Sequence, residues 1–182
     1  PATQSHHYED PRLKEVAVRM NQIFSNHNKA DEFAKKVKAL MDYIGAKSLS
    51  DYGAGKGRLK AALAAEGASD FDYLPYDPAF PEYGDPQPAD LVTCIDVLEH
   101  IEEPFLDNVL ADLKSITRRV GFFSIHCGPA RKVLADGRNA HLIQAPTSWW
   151  LPRLCQHFEI AQLQEVQGGF WVAVKPLQAR RT

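Results

Sequence analysis

An α/β fold, a mostly parallel sheet with helices on both faces, is predicted by three features of this sequence. Apolar segments of strand length alternate with segments of helical period. A glycine-rich turn, Asp51-Tyr52-Gly53-Ala54-Gly55-Lys56-Gly57, stands between a short apolar segment and an alanine- and leucine-rich one. At such a strand-to-helix turn backbone approaches a ligand closely. The chain closes on two strand-like runs joined near Gly168-Gly169, which read as an antiparallel pair.

The elements follow in order. Residues 11–44 carry two helical patterns. Leu13, Val16, Met20, Ile23 and Phe24 mark the first, and Ser25-Asn26-His27-Asn28 breaks it. Phe33, Val37, Leu40, Met41 and Ile44 share one face of the second, from about Asp31 to Ile44, and Gly45 ends it as a C-cap. Residues 1–44 are thus expected to form an N-terminal helical cap, and residues 45–182 the core of one compact domain. Ser48–Tyr52 reads as a strand entering the glycine turn, Leu59–Glu66 as a helix and Phe71–Tyr76 as a second strand. Residues 78–89 hold four prolines and one glycine, which makes them a loop. Ala89–Ile95 is a buried strand, and Pro104–Ile116 an amphipathic helix with proline in its first turn. Val120–Cys127 is a strand. A polar loop from Gly128 to Pro146 precedes a helix with Trp149, Trp150 and Leu154. Phe158–Val166 and Phe170–Val174 form the closing pair.

Bulk properties exclude several classes. A chain of 182 residues with 45% hydrophobic and 24% charged residues buries a core without staples. A formal net charge of −2 provides no field for nucleic acid, and Arg180-Arg181 is too short to change that. Three cysteines without a C-x-x-C pair argue against a disulfide framework or zinc knuckle and for a reducing compartment. No apolar run reaches transmembrane length and no signal-peptide pattern opens the chain, so a cytoplasmic protein without membrane contact is expected. The polar opening around His6-His7 reads as a flexible end, with Tyr8 a candidate lid residue.

In parallel sheets, ligands bind outside the carboxyl ends of the strands. Those ends carry Asp51–Gly57, Asp77, Ile95–His100 and His126–Gly128. A dinucleotide fingerprint requires G-x-G-x-x-G, but the spacing here is G-x-G-x-G, with Arg58 where the third glycine would fall. That disfavours a nicotinamide oxidoreductase. Asp77 ends the second strand, where a carboxylate can accept hydrogen bonds from a ribose diol. Asp77-Pro78 also suits a simple turn start. The third feature is Ile95-Asp96-Val97-Leu98-Glu99-His100.

Together these motifs resemble the class I S-adenosylmethionine-dependent methyltransferases, with their Rossmann-like sheet. There an acidic residue before G-x-G-x-G, an acidic end to the second strand and a D-V-L-E-H-I type segment after the fourth strand recur in this order. The resemblance covers about residues 45–176. It implies S-adenosylmethionine as cofactor, S-adenosylhomocysteine as product, and in-line transfer of a methyl group to a small-molecule acceptor. By resemblance, Tyr52, Gly53, Ala54, Gly55 and Gly57 pass the cofactor's methionine part, Asp51 holds its ammonium group through water, and Asp77 with Pro78 meets the ribose. Ile95, Asp96, Val97 and His100 line the sulfonium side. One departure stands out: only residues 78–89 separate Asp77 from Asp90, too few for the family's helix and third strand. The third strand is expected to be missing or rudimentary and the adenine side open, with Asp85 a weak substitute there.

On the acceptor side, the loop after Cys127 offers Arg131, Asp136, Arg138, Asn139, His141 and Gln144. His141 is the first candidate for a general base or substrate orienter, and His126 the second; each also suits a packing role. Wide aromatic faces at Trp149-Trp150 suit a flat or cationic substrate, but tryptophans at helical spacing are more often core. Asp96, Glu99 and His100, spaced i, i+3 and i+4, would share one helical face. With His141 they resemble the divalent-metal set of the terminal-ribose methyltransferases that act on small RNAs, although Asp96 stands where those have glutamate. The leading reading assigns no metal. The alternatives are that metal-dependent RNA enzyme and a non-catalytic partner protein of the same fold.

Overall fold

The structure is a computed structural model, and it describes residues 29–178. The helix expected over 11–24, together with Tyr8, His27 and Asn28, lies outside the described residues. Helix α1 (Lys29–Ile44) leads into β1 (Ser48–Tyr52), α2 (Arg58–Ala65) and β2 (Asp72–Tyr76). Then come β3 (Ala89–Ile95), α3 (Leu106–Ile116), β4 (Thr117–His126) and α4 (Thr147–Leu154). The chain closes on β5 (Phe158–Val166) and β6 (Gly169–Pro176).

The six strands form one sheet in the order β2-β1-β3-β4-β6-β5. The pairs β1–β2, β1–β3 and β3–β4 are parallel, while β6 runs antiparallel to both β4 and β5. This is the expected architecture, including its shortened side. Strand β2 lies at the sheet edge, and the segment that follows it contributes only a 3-10 turn at Pro81–Tyr83. Prolines 78, 81, 86 and 88 lack the N–H donors that a further strand would need.

Strand periodicity divides the core between the two sheet faces. On one face Phe33, Val37 and Met41 of α1 pack with Leu59 and Leu63 of α2 against Leu49, Leu91, Phe122 and Trp171. On the other, Leu110 and Leu113 of α3 and Trp150 and Leu154 of α4 cover Val92, Cys94, Phe123, Val172 and Val174. The neighbours Leu91 and Val92, like Phe122 and Phe123, point to opposite faces. Helix α1 therefore belongs to the core layer on one sheet face.

Two boundaries differ from the sequence expectation. Pro104 lies in a 3-10 turn, Glu103–Phe105, and the α-helix proper begins at Leu106. Strand β4 begins at Thr117, where Val120 was expected, because Thr117 already pairs with Ala89 and its hydroxyl donates to Leu113 O (2.6 Å).

Candidate functional site

The carboxyl ends of β1, β2 and β3 lie side by side, and backbone hydrogen bonds fasten the glycine turn to them. Gly53 and Ala54 N–H groups both donate to Tyr76 O (2.8 and 2.9 Å). Gly55 N–H donates to Asp77 Oδ2 (2.9 Å), and Ala79 N–H to Asp77 Oδ1 (2.8 Å). Burial raises the Asp77 carboxyl, against the pull of the Ala79 and Gly55 donors. Gly53 has a positive φ of 83°, and a Cβ there would stand 2.4 Å from Val97 Cγ2. The turn thus rests directly on Val97, which is buried. Pro78 and Ile95, at the ends of β2 and β3, are half-buried.

Asp51 faces inward. Its Oδ2 accepts the Tyr73 hydroxyl (2.5 Å) and its Oδ1 the Thr93 hydroxyl (3.0 Å). Burial pushes its carboxyl up to about 6, although both hydroxyls stabilise the anion. The same contact, with burial as its larger cause, raises the Tyr73 phenol.

The loop that replaces the third strand brings aromatic side chains to the glycine turn. Phe80 and Tyr83 stack with ring centroids 5.3 Å apart, and the Tyr83 hydroxyl donates to Gly55 O (3.0 Å). The side expected to be open is flanked by this pair, while Asp85 is exposed. Tyr83 is not among the residues the sequence singles out; an aromatic two residues after Pro81 in so short a loop is its only signal.

Asp96 adopts a left-handed backbone, φ 50°, uncommon for a residue with a Cβ. Ser124 holds it there: the Asp96 N–H lies 3.0 Å from both Ser124 O and Ser124 Oγ, and that hydroxyl donates to Asp96 Oδ1 (2.7 Å). A 3-10 turn, Leu98–His100, follows. This corrects the single helical face expected for Asp96, Glu99 and His100. Asp96 stands before that turn with a left-handed backbone, and its Oδ1 accepts from Ser124.

Glu99 and His100 are buried beneath the loop 128–146. His100 Nδ1 lies 2.7 Å from Ala140 O and His141 Nδ1 2.6 Å from Gly128 O. Carbonyls only accept, so both Nδ1 atoms carry a proton. Burial, then the neighbouring His141, depresses His100 to about 4, and it is neutral at physiological pH. The His100 and His141 ring centroids are 4.8 Å apart. Glu99, His100 and His141 each offer a ligand atom within 4.8 Å of the others.

Loop and turn are stapled together. Ile143 N–H donates to Glu99 O (3.0 Å), and Arg138 pairs with Glu102 (2.7 Å). Asn139 Oδ1 accepts from Ala130 N–H and His141 N–H (both 2.9 Å), which fixes where His141 stands. His126 N–H donates to Glu99 Oε1 (3.0 Å). The His126 ring lies 4.9 Å from that of His141, but a Cβ on Gly168 would stand 2.8 Å from its Nε2. That nitrogen therefore faces the β5–β6 turn. Trp150 is core, and Trp149 stacks under Arg153 at 3.4 Å. Burial raises the thiols of Cys94 and Cys127, which disfavours thiolate chemistry.

No family model and no curated protein matches this chain. Solved structures do. The 1,6-didemethyltoxoflavin-N1-methyltransferase of Burkholderia thailandensis, with 1,6-didemethyltoxoflavin and S-adenosylhomocysteine bound, superposes with a TM-score of 0.62 at 16% identity, over 98% of this chain and 92% of its own. The mitomycin 7-O-methyltransferase gives 0.59 at 17%, over 93% of this chain and 59% of its own. TnmH gives 0.58 at 15%, over 81% and 55%. A 16S rRNA methylase shares the fold as well, at 0.52 and 16% identity. The chain thus spans little more than half of TnmH and of the mitomycin enzyme. At these identities the likeness is one of fold.

Proposed function

We propose, on the premise that this chain has the class I S-adenosylmethionine-dependent methyltransferase fold, that it transfers a methyl group in line to a small-molecule acceptor. One observation carries this reading: the glycine turn, Asp77 and Ile95–Val97 end three adjacent parallel strands, and the Asp77 carboxylate binds the turn's own N–H.

The donor set fits the cofactor. A carboxylate has about four lone-pair sites, and Gly55 and Ala79 use one on each oxygen of Asp77. Each oxygen keeps a second site for a ribose hydroxyl. Phe80 and Tyr83 present an aromatic wall for the adenine. Asp51 fixes the turn through Tyr73 and Thr93, and an ammonium group is reached from its remaining lone pairs through water. When bound, S-adenosylmethionine supplies an already activated methyl group and leaves as S-adenosylhomocysteine. The protein's task is then alignment and exclusion of water. His141, partly exposed above buried His100, meets the acceptor through Nε2.

The charge balance favours a small acceptor over RNA, since phosphate contacts require a basic stripe. Calorimetry with S-adenosylhomocysteine tests the reading. The unaltered protein binds, and Gly55→Asp and Asp77→Ala each weaken binding at least about tenfold, or ~1.4 kcal/mol. No detectable heat from the unaltered protein at high micromolar concentration overturns it.

A further inference from the structure

We propose that Tyr83 is a positioning residue whose hydroxyl locks the glycine turn in the shape that receives the cofactor's methionine part. The inference rests on the methyl-transfer reading, in which that part of the cofactor passes the turn. Gly55 stands inside the turn with a left-handed backbone, φ 51°. Glycine changes conformation at little steric cost, so this shape needs outside support. The residues that follow β2 supply it on both peptide units that flank the Gly55 Cα. The Gly55 N–H donates to Asp77 Oδ2 (2.9 Å), and the Gly55 carbonyl accepts the Tyr83 hydroxyl (3.0 Å). Planar peptide units leave only φ and ψ free at each residue, so holding both units fixes both angles. A trans peptide directs its N–H opposite to its carbonyl. The Tyr83 bond therefore also sets where the Lys56 N–H points.

Tyr83 is itself fixed. Its N–H donates to Phe80 O (3.0 Å), Phe80 N–H donates to Asp77 O (2.9 Å), and the two rings stack with 22° between their planes. Asp77, Gly55, Tyr83 and Phe80 thus close a ring of contacts, and the loop in place of the third strand completes it. A Cβ on Gly57 would stand 4.0 Å from the Tyr83 hydroxyl, so that oxygen lies over the turn from Gly55 to Gly57. Partial burial, then Glu82, Asp77 and Asp51, raises the Tyr83 phenol, which keeps the hydroxyl a donor at neutral pH. A turn already held in its bound shape loses less freedom when the ligand arrives, and binding is stronger for it. The Tyr83 ring serves the adenine, and its hydroxyl serves the other end of the same ligand.

The test is calorimetry of the unaltered protein and of Tyr83→Phe with two probes. One is S-adenosylhomocysteine; the other is methylthioadenosine, which has the adenine, ribose and sulfur but no amino-acid part. Tyr83→Phe keeps the aromatic wall and removes only the hydroxyl. Asp77 retains its bond from Ala79 N–H, so the ribose contact survives. The variant is expected to bind S-adenosylhomocysteine about fivefold more weakly, the effect of one neutral hydrogen bond, and methylthioadenosine less than about twofold more weakly. Tyr83 is half-buried, and an unchanged urea midpoint shows that the variant folds. Undiminished S-adenosylhomocysteine binding by Tyr83→Phe overturns the inference. An equal loss for both probes also overturns it, because the hydroxyl would then support the wall alone. If the unaltered protein binds no S-adenosylhomocysteine, the methyl-transfer reading falls and takes this role of Tyr83 with it.

Discussion

Asp51 shows how much one buried residue can set. Its carboxyl lies at about 6, above its ordinary 3.8, because burial disfavours the anion more than the Tyr73 and Thr93 hydroxyls favour it. The folded protein therefore binds this proton more tightly than the unfolded chain. Its contribution to stability is fully present below about 4 and is lost as pH rises to about 6. At neutral pH the charge costs on the order of 3 kcal/mol. Asp51→Asn is expected to flatten the fall in the urea midpoint across this window; an unchanged slope refutes the assignment. Asp96 is a second residue under constraint, held left-handed by Ser124. The sequence Asp96-Val97-Leu98 carries no sign of that conformation, because β-turn and helix starts both accept aspartate. Asn139 was legible only as a polar neighbour of His141. Its role as the pin of that histidine depends on Ala130, across the loop.

At the scale of elements, the glycine turn and the segment after β3 behave as one piece. Gly53 needs its positive φ and also the space that a Cβ would take from Val97. Gly53→Ala is expected to destabilise the protein by about 2 kcal/mol or more and to abolish S-adenosylhomocysteine binding. Adding Val97→Ala removes the contact at Cγ2 but not the backbone strain, since Val97 Cβ already stands at an ordinary 3.4 Å. The double variant should recover part of the lost stability, as read by denaturant unfolding. No recovery would show that φ alone decides the position. The strands and helices themselves were readable from period, because each buries one face: Phe33, Val37 and Met41 of α1 line a single stripe. The 3-10 turn at Leu98–His100 was not readable, since three residues carry no period.

For the whole molecule, charge and topology set what the site can meet. With a net charge of −2, a short single-stranded RNA at low salt should bind with a dissociation constant weaker than about 10⁻⁴ M. Fluorescence anisotropy reads this directly, and micromolar binding would favour a nucleic-acid acceptor. No described helix is long and apolar enough to cross a membrane. The sheet order, with β2 at its edge, follows from residues 78–88, whose prolines forbid another paired strand. By itself, the sequence determined the alternation of strands and helices, the closing antiparallel pair, the missing strand, and the acidic and glycine residues at the strand ends. These are local properties of period, turn chemistry and spacing. Only the tertiary structure decided that Tyr83 reaches Gly55, that Ser124 holds Asp96, and that His141 meets Glu99 and His100. Those contacts join segments far apart in the chain, and they form only when packing of the sheet and the loop 128–146 brings their backbone donors and acceptors together.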